Sequence, residues 1–85
     1  MTTYNGWTNH STWKANLELV DHNYWAEVVQ EDELDADSLA NCMESLIEEM
    51  LTIDLDCDSF TYGLTIDFLS EVNWYEIAKH ITEEA

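Results

Sequence analysis

The chain has no proline, no arginine and only two glycines, and its cations stop at Lys14 and Lys79. Without proline and with little glycine, the usual interruptions of regular structure are sparse, which favours helices joined by short connections. No apolar run approaches the roughly 18 residues that a membrane span needs. The start, Met1-Thr2-Thr3-Tyr4-Asn5-Gly6, has neither the basic residues nor the apolar stretch of a signal peptide, so the expected compartment is the cytoplasm. Two cysteines, Cys42 and Cys57, are then expected as free thiols rather than a disulfide. There is no Gly-rich phosphate loop, no Cys-x-x-Cys and no His-x-x-x-His. Nor is there a basic patch for nucleic acid.

What the chain does have is acid. Nineteen Asp and Glu against two cations give a formal charge of −17 over 85 residues. Disordered acidic tails are poor in aromatics, whereas this sequence is 46% hydrophobic and holds four tryptophans. It therefore builds one core, in a single acidic helical domain spanning 1–85. Like charge excludes nucleic acid and anionic membranes as direct partners, and points to a basic protein surface. A salt-adapted proteome also yields acidic, lysine-poor chains, but the absence of arginine together with six Asn and five Ile does not suggest one.

The periodicity predicts the elements. Thr8 or Asn9 caps a first helix running to about Asp21, with Trp13, Leu17, Val20 and Tyr24 inward. Asp21-His22-Asn23 breaks it, and a short second helix carries Trp25, Val28 and Val29. Glu31-Asp32-Glu33-Leu34-Asp35-Ala36-Asp37 reads as an acidic connection. Asp37 caps a helix over 38–51 with Leu39, Cys42, Met43, Leu46, Ile47 and Met50 on its apolar face. On that reading Cys42 packs in the core, as do Trp13 and Trp25, while Trp7 tucks under the first helix. The stretch 51–68 fits both periods: alternation as in a strand, and Phe60, Leu64, Phe68 at helical spacing. Asn73-Trp74-Tyr75-Glu76 has the form of a capping box that opens a last helix with Ile77, Ala78 and Ile81. The fold class is all-α, a compact bundle of four to five short helices; an α+β arrangement with a hairpin within 51–68 is the alternative.

Tests for chemistry are negative. Asp54-x-Asp56-x-Asp58 would fill positions 1, 3 and 5 of an EF-hand loop, but position 6 is Ser59 rather than Gly and position 12 is Thr65 rather than Glu. His10, His22 and His80 are too dispersed for a metal pattern, and neither cysteine has a base at a telling spacing. The expectation is a binding protein rather than an enzyme, without cofactor or built metal site.

The two ends are more specific. Tyr4-Asn5-Gly6-Trp7-Thr8-Asn9, then Thr12-Trp13, resembles the opening of a family of small uncharacterised proteins from phages, plasmids and prokaryotic genomes. Val72-Asn73-Trp74-Tyr75-Glu76-Ile77-Ala78 is similar to that family's closing helix. His10 and Ser11 stand where the family has an aromatic residue and Glu, so a capping box begun at Thr8 is lost, and 31–58 is far more acidic. The resemblance implies a helical domain, which tips 51–68 towards helix, with Asn5-Gly6 as a turn and Thr8 and Asn73 as caps. It also implies a mobile-element setting, acting against or alongside host defence. Small acidic proteins of that setting include anti-CRISPR and antirestriction DNA mimics. The expected partner is accordingly a CRISPR effector or a restriction enzyme subunit, its basic groove occupied by Glu31, Asp32, Glu33, Asp35, Asp37, Glu44, Glu48, Asp54, Asp56 and Asp58. An acidic adaptor binding a basic protein without competition from DNA is the other reading. Nothing in the sequence fixes monomer or dimer.

Overall fold

Four short polar side chains set where the first four helices begin. In the computed structural model, which describes residues 6–84, Asn9, Asp21, Asp35 and Ser59 each have extended backbone and accept a hydrogen bond from the N–H three residues on. These caps open α1 (His10–Glu18), α2 (His22–Asp32), α3 (Ala36–Thr52) and α4 (Phe60–Glu71). Asn73 does the same for α5 (Trp74–Glu84), its Oδ1 accepting from the Glu76 N–H at 3.1 Å. Among the described residues the architecture is all-α, with five helices, and the 51–68 ambiguity resolves into the end of α3, a turn and α4.

The central pair is α3 on α5. Leu39, Met43 and Ile47 from α3, and Ile77, Ala78 and Ile81 from α5, are buried. Trp25 of α2, Leu69 of α4, and Val72 and Trp74 at the α4–α5 corner complete the core. Around this pair α2 packs on α5, α4 packs on α3, and α1 bridges α4 and α5. The result is flattened, with extents of 38 × 33 × 18 Å.

The family-like ends meet in space. Thr12, fully buried, accepts on its Oγ1 from the Asn73 N–H at 2.8 Å. Asn9 Nδ2 donates to the Glu71 carbonyl at 2.9 Å, and the Ser11 hydroxyl donates to Glu71 Oε2 at 3.3 Å. Glu76 Oε1 accepts from the Thr8 N–H at 3.0 Å. The expected capping box is therefore half local. Asn73 caps its own helix, but the N–H that Glu76 satisfies belongs to Thr8, and Asn73's N–H goes to Thr12. Replacing Thr12 with Val would leave that N–H without its acceptor while keeping the side-chain shape. We expect a loss of about 1–3 kcal/mol in urea unfolding, with faster hydrogen exchange at Asn73 and with Thr12→Ser retaining most of the bond.

Several expected details are corrected. α1 ends at Glu18, not Asp21, and its buried residues are Ser11, Thr12 and Ala15. Val20 and Tyr24 lie beyond that helix, Trp13 is half-buried, and Leu17 is 64% exposed. The polar bonds of Asn9, Ser11 and Thr12 to the α4–α5 corner turn that face inward and Leu17 outward. Asn9 rather than Thr8 is the cap. Asp35 rather than Asp37 caps α3, and Glu31 and Asp32 already belong to α2, so the acidic connection shrinks to Glu33–Asp35. Glu33 closes α2 at φ 53°, the left-handed conformation that more often falls to glycine. Cys42 is exposed, not core, because α3 buries the side carrying Ala40 and Ile47 rather than the side carrying Cys42 and Leu46. Trp7, ahead of α1, packs against the core with its ring 4.5 Å from that of His80 on α5. Trp25 is buried as expected. Gly6 takes φ +90°, open only to glycine at low cost, whereas Asn5 lies outside the described residues.

Candidate functional site

All ten carboxylates singled out in the sequence are exposed. α3 organises the largest group. At 3.6 residues per turn, Asp37, Glu44 and Glu48 fall within about 20° of one line along the helix. That line lies to one side of the buried Leu39, Met43 and Ile47. Asp35 sits at the start of α3, and Asp54, Asp56 and Asp58 follow its end in the turn before α4. Glu31, Asp32 and Glu33 come from the end of α2, which leads into α3. The seventeen residues of α3 span roughly 25 Å. Three of the ten carboxylates, Asp37, Glu44 and Glu48, lie on that length, with Asp35 at its start.

Little offsets this charge. Lys14 forms an ion pair with Glu18 on α1, with both side chains about half exposed, and Lys79 lies exposed on α5. Among the acids, Asp35 stands out. The Ser38 backbone N–H donates to its Oδ1 at 2.8 Å, and with the Ser38 hydroxyl it holds the carboxyl below its ordinary pKa. A depressed folded pKa contributes stability above the unfolded value of about 3.9, lost as pH falls through the folded value. Asp35→Ala is therefore expected to lower Tm at neutral pH, and the gap from the parent should narrow below about pH 4 in a pH series of thermal melts.

In the turn, Asp56 Oδ1 accepts from the Asp58 N–H at 3.0 Å, and ligand atoms of Asp56, Cys57 and Asp58 lie within 4.8 Å of one another. All three residues are exposed. The cluster is a local Asx-type turn rather than a twelve-residue calcium loop, since Phe60 already begins α4. Both thiols are free and exposed.

A second feature was not picked out by the sequence reading. Two open hollows of about 390 and 330 Å³ adjoin at Leu19, which lines both. The first lies among Lys14, Glu18, Leu51, Leu64, Thr65 and Phe68. The second lies among Asp21, Tyr24, Trp25, Leu46, Ile47 and Met50. Met50, on the expected apolar face of α3, is 65% exposed, and Leu64 is 52% exposed. The available signal was excess: helical stripes on every element offer more large apolar residues than an 85-residue domain has interior to hold.

The chain belongs to the family described as "Family of unknown function (DUF7249)", whose model matches residues 1–85. Among curated proteins and among solved structures, nothing matches it.

Proposed function

We propose that this family member is a non-enzymatic binding protein whose carboxylate face occupies the basic groove of a nucleic-acid-binding protein, acting as a DNA mimic. The observation that carries the reading is the set of exposed carboxylates along α3 and in the segments that flank it. Basic grooves that hold nucleic acid are lined with Lys and Arg, and −17 on so small a body steers association with them. The target class is a host nucleic-acid-targeting defence complex, a CRISPR effector or restriction enzyme subunit, in the cytoplasm of the host cell. That narrower part rests on the mobile-element setting implied by the two terminal motifs. The groove's native ligand and the protein would exclude each other, so inhibition is steric and needs no catalysis.

The test is affinity capture with the tagged protein from a lysate bearing such systems, with partners identified by mass spectrometry. A nuclease or effector subunit should be recovered, released by excess duplex DNA, and held less tightly as salt rises from about 50 to about 500 mM. A partner that duplex DNA does not displace would overturn mimicry and leave an acidic adaptor.

A further inference from the structure

The carboxylate row accounts for steering but leaves the apolar hollows unexplained. They lie where the C-terminal half of α3 meets α4 and the segment between α1 and α2. Their walls are aliphatic and aromatic, with Leu19, Leu51, Leu64 and Phe68 in one and Tyr24, Leu46 and Met50 in the other. Apolar side chains this exposed and this contiguous mark an interaction surface more often than chance. A thioether such as Met50, on an open surface, suits a groove that adapts to its occupant.

The rim is acidic. Glu18 lines the first hollow and Asp21 the second. Glu48 lies three residues before Leu51 on α3, and Asp67 three residues after Leu64 on α4, each one turn from a wall residue and exposed. Among the described residues lining either hollow Lys14 is the one cation, and it is already paired with Glu18. A second copy of the chain would bring −17 against −17 across this rim, which like-charge repulsion opposes. An anionic lipid surface meets the same objection.

We infer that this trough docks an amphipathic helix of a basic partner protein, apolar residues seated in the two hollows and Lys or Arg against the rim. The mode is a helix laid into an apolar groove, read by anchors at i, i+3 or i+4, and i+7. The inference rests on the same premise as the proposed function, that the partner is basic, and adds that the partner is held by shape as well as charge. It does not require the partner to bind nucleic acid.

The probe is a synthetic Lys/Leu peptide of about 18 residues with its leucines on one helical face, beside a peptide of the same composition with the leucines scrambled. Binding is measured by titration calorimetry at about 150 mM salt, with the site mapped by amide shifts in NMR. The amphipathic peptide should bind at least about tenfold more tightly than the scrambled one, with shifts at Leu19, Met50 and Leu64. Met50→Gln with Leu64→Gln should erase that preference. Both side chains are exposed, so the variant should fold, which its circular dichroism checks. Glu44→Lys with Glu48→Lys should weaken both peptides alike and leave the preference in place. Equal binding of the two peptides would overturn the proposal and leave pure charge attraction. So would a preference that survives Met50→Gln with Leu64→Gln. A concentration-dependent dimer in sedimentation, abolished by the same double variant, would show instead that a second copy fills the trough. Failure of DNA to displace the captured partner would sink mimicry without touching this result, so the two readings fail separately.

Discussion

Ile77→Ala should cost about 2–5 kcal/mol of unfolding free energy in urea titrations followed by tryptophan fluorescence. Ile77 is fully buried at the α3–α5 interface, where truncation leaves a cavity that two packed helices close only in part. A domain of this size has a total stability of roughly 5–10 kcal/mol, so the variant should sit near the edge of folding. The paired control is Leu17→Ala. The sequence puts Leu17 in an apolar stripe, but its side chain is 64% exposed, and its loss should cost no more than about 0.5 kcal/mol. Similar costs for the two would mean that α1 is turned the other way, with Leu17 inward and Thr12 outward, which the Thr12→Val measurement would register independently.

Reversing charge at Glu44, Glu48, Asp54, Asp56 and Asp58 together should weaken binding to the captured target by on the order of 100-fold, or about 2.7 kcal/mol. Most of the loss should fall in the association rate, which electrostatic steering governs, and the salt dependence of the remaining binding should flatten. All five side chains are exposed, and none is the helix cap of an element that packs the core. Self-repulsion at −17 destabilises the folded state, so removing acid here should leave Tm unchanged or raise it. That opposite sign separates a lost contact from a lost fold. Unchanged affinity in a folded variant would place the contact surface elsewhere on the molecule.

The helices were legible because their signals are local. Asn9 or Thr8 and Asn73 announce helix starts by residue type, and the α5 pattern of Ile77, Ala78 and Ile81 survives intact as a buried face. The cap of α3 was misplaced: the sequence pointed to Asp37, and the extended backbone at Asp35 puts the cap two residues earlier. The candidate binding residues were legible as charge, since no acid so dense in a lone-domain chain finds enough cations to bury it, and all ten are exposed. The trough was not. Leu64, Leu46 and Met50 have the same spacing as residues that pack inward, and hydrophobic spacing alone carries no record of which stripe wins the interior.

By itself, then, the sequence determined helix over most of its length outside 51–68, several of the helix starts and the excess of negative charge. Each of these follows from residue type and short-range hydrogen bonding. Tertiary structure decided the rotation of each helix about its own axis. Bonds between distant residues, Thr12 with Asn73 and Glu76 with Thr8, fix α1 against the α4–α5 corner. With α3 and α5 filling the centre, the remaining apolar stripes of α1 and α4 have nothing left to pack on, because so small a body has more surface than interior.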